Sequence, residues 1–245
     1  MYTLLVTLRF CLVPPTQQPA MPKEPRKLRI RRWDVETLKP TQTVLILGKR
    51  NTGKSIIMRH LLYALRDKLG GAVAFCPTEG SQGSFGEYIP PSCIHEDYNA
   101  DVLDNIAATQ RQQWKRDQGG KDVMCVLDDC AYDKKTFSCK ALRSLFMNGR
   151  HNHMGCILSV QFSLDFPTHL RANCDIIIAC REQILSNRER LYKHFFGMFS
   201  SRDSFNRCFS ATTNDYEVLV LKNDSTSNSL EECCFWWKAD MDLPP

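Results

Sequence analysis

Short, uninterrupted apolar runs recur along this chain, separated by stretches with a helical repeat. Val44-Leu45-Ile46-Leu47 is the first run, and Ala72–Cys76, Val123–Leu127, Cys156–Val160 and Asp175–Ala179 follow. A run of this kind has no solvent face, so each predicts a strand buried on both sides of a parallel sheet. After the first strand, Ile56, Ile57, His60, Leu61, Ala64 and Leu65 repeat at helical spacing. That helix should reach about Lys68 and stop at the pair Gly70-Gly71. Val102, Leu103, Ile106 and Ala107 mark one side of a helix over Asn99–Lys115, broken by Gln118-Gly119-Gly120. Further helices are expected near 138–148, 168–172, 186–197 and 201–209, while the Gly, Ser and Pro of 78–92 predict a surface loop. Two final runs, Glu217–Leu221 and Cys233–Trp237, flank a Ser/Asn-rich turn at 223–229 and read as a hairpin. Strands alternating with helices predict an α/β fold: a mainly parallel sheet with helices on both faces and a C-terminal β-hairpin, forming one domain over 33–245. No internal repeat is visible.

The context around residues 48–55 turns this pattern into a site. GKRNTGKS matches the phosphate-binding loop G-x-x-x-x-G-K-[ST] at every fixed position, between a buried strand and a helix. Unpaired backbone N–H groups at such a helix start form an anion cradle. Gly48 and Gly53 let the loop close without a Cβ in the way. Lys54 should reach the β- and γ-phosphates of a nucleotide, and the Ser55 hydroxyl should help to hold Mg²⁺. Gly48, Asn51, Thr52, Gly53, Lys54, Ser55 and Ile56 are therefore the candidate contacts to ATP.

The strand Val123–Leu127 ends in Asp128-Asp129. A carboxylate at that position is the expected partner of Ser55 at the metal, which assigns Asp128 to Mg²⁺. Asp129 could orient and deprotonate an attacking water. Gln161 ends the next apolar strand and should point into the same crevice, where it could position that water or sense the γ-phosphate. Arg150, in Asn148-Gly149-Arg150-His151, is the candidate to stabilise transition-state charge in a neighbouring subunit, with Arg171 as its rival.

Charge adds a second theme. The net charge of +5 is concentrated in residues 1–32, which carry a net of +6, so the remainder nets −1. The arm at 23–32 is thus a candidate for contact with a phosphate backbone, as are Arg111, Lys115, Arg116 and Lys121 around Trp114. Trp114 fits a core anchor equally well. The opening MYTLLVTLRFCLVPP is too short to span a bilayer, is interrupted by Arg9 and has no clear cleavage site. It reads as a disordered leader, or as an over-extended start with Met21 as the beginning, and neither secretion nor stable membrane insertion is expected. The 12 cysteines include no C-x-x-C pair and several lie in apolar runs, so they read as buried thiols in a reducing interior. His151, His153 and Cys156 lack an evident fourth ligand for a closed zinc site.

Together, GKRNTGKS, VMCVLDDC, FMNGRHNHMGCILSVQ, LRANCDIII and the closing CCFWWKA resemble the genome-packaging ATPases of nucleocytoplasmic large DNA viruses, a group similar to the FtsK–HerA class of P-loop DNA pumps. The resemblance covers about 33–240. It implies a P-loop NTPase fold of the RecA/ASCE-like kind and ATP-driven, Mg²⁺-dependent translocation of double-stranded DNA into a preformed capsid. It also implies a homo-oligomeric ring, a capsid or portal-vertex partner, DNA contact without sequence preference, and a location in the host cytoplasm (the viral factory) and the virion. Lys54, Ser55, Asp128, Asp129 and Gln161 match the family's site positions, and Arg150 is favoured over Arg171 as the arginine finger. Two alternatives remain open. A small-molecule or nucleotide kinase would need an arginine-rich lid, which Arg181, Arg188 and Arg190 could mimic. A nucleotide-gated capsid assembly factor would bind without hydrolysing. No N-K-x-D or L-S-G-G-Q motif occurs, which excludes common GTPase and ABC-type readings. Only 116 residues follow Asp129, most of them needed to finish the sheet, so no DNA cleavage by this chain is expected.

Overall fold

A computed structural model describes residues 29–117, 120–130, 134–161 and 166–243. The leader and arm up to residue 28 lie outside the described residues. The strands are β1 (Arg31–Arg32), β2 (Thr43–Leu47), β3 (Leu69–Phe75), β4 (Ile94–His95), β5 (Asp122–Leu127), β6 (Met154–Val160), β7 (Ile176–Ala179), β8 (Glu217–Lys222) and β9 (Cys234–Lys238). The helices are α1 (Lys54–Leu65), α2 (Glu79–Phe85), α3 (Ala100–Asp117), α4 (Lys134–Ser138), α5 (Lys140–Asn148), α6 (Thr168–Arg171), α7 (Leu185–His194), α8 (Arg202–Thr212) and α9 (Leu230–Cys233).

The strands form one sheet in the order β1-β9-β8-β7-β2-β6-β5-β3-β4. Its pairs are parallel, except that β8 runs antiparallel to both β7 and β9. Side chains alternate across β2, and each half enters a different core. Val44 and Ile46 pack with Ile57, Met58 and Leu61 of α1 and with Trp33 and Trp237. Leu45 and Leu47 join Leu103 of α3, Leu142 and Leu145 of α5, and Phe205 and Phe209 of α8. Burial of each such side chain contributes about 1.5–3 kcal/mol. Helices on both faces thus clamp the strand that carries the glycine loop.

Two local expectations are corrected and a third is extended. Gly70-Gly71 does not end the helix; α1 stops at Leu65 and the glycine pair lies inside β3. A Cβ on Gly70 would stand 2.7 Å from Lys121 Cβ, so the glycine permits close approach to the segment entering β5. The stretch 78–92 is not plain loop: it forms α2, whose Phe85 is fully buried against the α1 side. The C-terminal hairpin of β8 and β9 forms as expected, but it also receives β1 in parallel on its outer edge, pairing Arg31 with Phe235 and Arg32 with Trp236. The end of the basic arm is therefore an edge strand.

Candidate nucleotide and hydrolysis site

The loop after β2 is held open from beneath. Gly48 N–H donates to Val160 O at 3.1 Å, tying the loop to the end of β6. A Cβ at Gly48 would lie 2.6 Å from Thr52 Oγ1 and 2.7 Å from Cys180 Cβ, a space only glycine fits. Thr52 Oγ1 donates to Lys49 O at 2.8 Å, and Asn51 and Gly53 take left-handed φ values of 60° and 86°. These turns deliver the chain into α1, whose first residue is Lys54. The Lys54 side chain is buried, with Nζ donating to Lys49 O at 3.1 Å.

The Lys49 side chain ties the loop to the segment between β7 and α7, its Nζ 2.6 Å from Glu182 Oε1. Burial works to raise the Glu182 carboxyl. Hydrogen bonds from Lys49, the Ile184 N–H and the Asn187 amide outweigh it and hold the carboxyl below its ordinary value. Burial also pushes the Cys180 thiol beneath Gly48 up to about 11, so it packs as a neutral group.

Sheet order explains how distant residues converge. Because β6 lies between β2 and β5, the residue leaving β6 stands between the glycine loop and the acid pair leaving β5. Asp128 is 4% exposed and Oδ1 accepts from Ser159 Oγ at 2.6 Å. Ser159 Oγ in turn accepts from the Asp129 N–H at 3.0 Å. Asp129 has a positive φ of 55°, a region Asp tolerates better than most residues, and Oδ2 accepts from Gln161 Nε2 at 2.5 Å. Ser159 thus joins Asp128 to Asp129, and Gln161 joins the set through the Asp129 carboxylate. The hydroxyl of Ser55 and the carboxylate of Asp128 are hard oxygen donors, a donor chemistry that fits Mg²⁺.

Beside the loop opens a cavity of about 610 Å³ whose lining includes Gly53, Lys54, Ser55, Ile56 and Ile57 on one side. Tyr216, Lys238, Ala239 and Met241 line the other.

The two arginine candidates separate cleanly. Arg171 donates from Nε and Nη2 to Phe166 O at 3.2 and 3.0 Å and lies over the Phe195 ring, and burial lowers its pKa. Arg171 is thus held by contacts within its own chain. Arg150 has a side chain 63% exposed, with Nη2 2.6 Å from Asp175 Oδ1. Asp175 also accepts from the Thr43 N–H at 2.8 Å, which places Arg150 where β2 begins, at the opposite end of the strand from the glycine loop. It is not brought into the site of its own chain.

Elsewhere, His153 stacks on Trp114 at 3.4 Å between ring centroids and contacts Asp122, while Cys156 is buried in β6. Among the described residues no cluster of three or more His, Cys, Asp or Glu could hold a metal ion. Arg111, Lys115 and Arg116 are exposed on α3, and Lys121 is exposed just beyond it. Arg188 is fixed to Glu182 O, Ser210 Oγ and the Phe209 face, and Arg190 to Asn187 Oδ1. No helix among the described residues is long and apolar enough to cross a membrane.

Sequence reasoning missed Ser159, the Lys49–Glu182 pair and Tyr216. Ser159 left a readable trace, as a polar residue inside an apolar strand two positions before Gln161. The others are contacts across more than a hundred residues of chain, without local signature.

Comparison with known proteins agrees with this architecture. The family model described as Poxvirus A32 protein matches residues 31–242. Uncharacterized protein 075L of Invertebrate iridescent virus 6 is 31% identical over 196 residues, 80% of this chain and 76% of that protein. Uncharacterized protein L437 of Acanthamoeba polyphaga mimivirus is 28% identical over 222 residues, 87% of this chain and 78% of that protein. Among solved structures, the genome packaging NTPase B204 of Sulfolobus turreted icosahedral virus 2 in complex with AMPPCP superposes with a TM-score of 0.60 at 16% identity, covering 83% of this chain and 100% of that one. EssC (ATPases 2 and 3) of Geobacillus thermodenitrificans gives 0.58 at 12% identity, covering 83% of this chain and 41% of that one. At these identities the structural likeness establishes the fold, which is the α/β fold of P-loop ATPases.

Proposed function

This chain belongs to the poxvirus A32 protein family, and on that premise we propose that it is an ATPase that drives viral double-stranded DNA into a preformed capsid. The observation that carries the reading is the link from Asp129 through Gln161 to the glycine loop: Gln161 binds Asp129 Oδ2, and its neighbour Val160 holds Gly48. A carboxylate on a positioned amide beside a phosphate cradle suits water as the acceptor of the γ-phosphoryl group.

In this reading the loop from Gly48 to Ser55 binds the triphosphate through the backbone N–H groups that follow Gly48, together with the Lys54 ammonium. Asn51, Thr52 and Ile56 shape the cradle. Ser55 and Asp128 hold Mg²⁺, which when bound neutralises charge on the phosphates. Ser159 orients the Asp128 carboxylate toward that role. Gln161 turns Asp129 so that Oδ1 receives the proton of water as its oxygen bonds to the γ-phosphorus and the bond to ADP breaks.

Arg150 would act in trans, its exposed guanidinium reaching the site of the next subunit in a homo-oligomeric ring. DNA would be gripped by its backbone, without sequence preference, through the arm at 23–32, Arg111, Lys115, Arg116 and Lys121. The relatives are viral proteins, which supports action in the infected-cell cytoplasm and at the virion, with a capsid or portal-vertex protein as docking partner. The fixed contacts of Arg188 and Arg190 weigh against a kinase lid.

Steady-state phosphate release from Mg-ATP tests the hydrolytic core. Wild type should turn over, Lys54→Ala should lose binding, and Asp129→Asn should bind ATP without hydrolysing it. Binding without turnover in wild type would favour the nucleotide-gated assembly factor instead.

A further inference from the structure

The turn between α8 and β8 carries an unusual conformation. Asp215 and Tyr216 both have left-handed φ values, 48° and 60°, and Glu217 N–H donates to Asn214 O at 2.8 Å. This is a mirror-image two-residue turn, which ordinarily selects Asn and Gly. A tyrosine there is strained, and a strained residue persists where its surroundings over-determine it. Here the fixings are visible: Lys238 Nζ holds Asp215 Oδ2 at 2.6 Å. The strain does not serve packing, because Tyr216 is 59% exposed. What it achieves is placement. The ring edge lies against the phosphate loop, 3.3 Å from where a Gly53 Cβ would stand, at the mouth of the 610 Å³ cavity.

The facing wall is built as deliberately. The chain beyond β9 turns back over α1 and is tied there twice, by the Asp240 N–H to His60 Nδ1 at 2.8 Å and by Arg59 Nη2 to Met241 O at 2.6 Å. These bonds hold Ala239 and Met241 along the cavity, with Met241 62% exposed. An aromatic face, a thioether and Ile57 beside a phosphate cradle suit a flat, uncharged ring attached to a triphosphate.

We propose that Tyr216 and the segment 239–242 form the nucleobase site, with the base stacked on Tyr216 and Met241 closing over it. Specificity for a nucleoside triphosphate over bare polyphosphate then resides in the turn after α8 and in the segment 239–242. The proposal rests on the glycine loop being the phosphate site, and the test keeps the two apart.

Calorimetric titration of the full chain with Mg-ATP and with magnesium tripolyphosphate makes the distinction. Tyr216→Ala should raise the Kd for ATP about tenfold or more and leave tripolyphosphate unchanged. Tyr216→Phe, which keeps the ring, should bind ATP as wild type does. Tyr216→Asn, suited to the left-handed turn, should match or exceed the wild-type Tm while losing ATP affinity, a combination that a purely structural tyrosine would not give. Met241→Ala should weaken ATP alone, by less. Unchanged ATP affinity in Tyr216→Ala, or equal weakening of both ligands, would overturn the proposal. Lys54→Ala serves as the control: if it still binds tripolyphosphate, the phosphate-site reading itself falls.

Discussion

Gln161 donates its amide to Asp129 Oδ2 at 2.5 Å, so the last residue of one strand's run orients the acid that ends its neighbour's. The position of Asp129 is therefore set by a partner that also borders the glycine loop. Asp129→Asn should lower kcat by about 10²–10⁴-fold, the usual contribution of a general base. Gln161→Ala should lower kcat less, and neither change should shift the Kd for ATP substantially. Single-turnover hydrolysis with separately measured binding checks this; parallel losses in Kd and kcat would place both residues in binding instead.

The two glycine environments predict opposite outcomes for the same substitution. Gly48→Ala drives a Cβ to within 2.6–2.9 Å of Thr52 and Cys180, whereas a Cβ on Gly71 meets nothing within 4 Å. Gly48→Ala should cost about 1–3 kcal/mol by overpacking and weaken ATP binding. Gly71→Ala should leave both nearly unchanged. Thermal melts with and without nucleotide read out the pair.

Stability should depend on pH through Glu182. Its folded carboxyl titrates below the ordinary value of 4.5, so the stabilisation it contributes is present above that value and is lost as pH falls through the lower, folded value. Tm measured against pH should show wild type ahead of Glu182→Gln near neutrality, with the gap closing as pH falls below the ordinary value of 4.5 and through the lower, folded one. A gap that stays constant, or widens on acidification, would remove Glu182 as the clamp on Lys49.

Much of this architecture was legible along the chain, and the boundary is physical. Unbroken apolar runs announced β2, β5, β6 and β7, because burial on both faces demands apolar residues at consecutive positions. The motif around Lys54 was legible because phosphate binding restricts residue types locally. The antiparallel pairing of β8 with β7 was not, since an apolar run carries no mark of strand direction, nor was the docking of Arg31-Arg32 on β9, since two-residue edge pairing carries no periodic signal. Gly70-Gly71 misled because the same glycine that ends helices also admits close strand contact, here with Lys121. The Lys49–Glu182 clamp joins residues 133 positions apart, through a contact that topology alone creates.

Arg150 offers a test of assembly. Its pairing with Asp175 at the far end of β2 leaves it unable to serve its own site, so Arg150→Ala should retain ATP binding while kcat falls by about 10³-fold or more. Mixing Arg150→Ala subunits with Asp129→Asn subunits should restore part of the activity, because each supplies what its neighbour lacks. Absence of any recovery, together with a lowered Tm for Arg150→Ala, would make the arginine a structural partner of Asp175.

The central claim is that hydrolysis powers movement along a nucleic-acid backbone. The direct measurement is ATP turnover by the full chain with and without long double-stranded DNA of unrelated sequences, at low and at high salt. The account predicts stimulation by DNA whatever its sequence, fading as salt rises, because backbone contacts through Lys and Arg release counterions. Hydrolysis indifferent to DNA at both salt concentrations would contradict it.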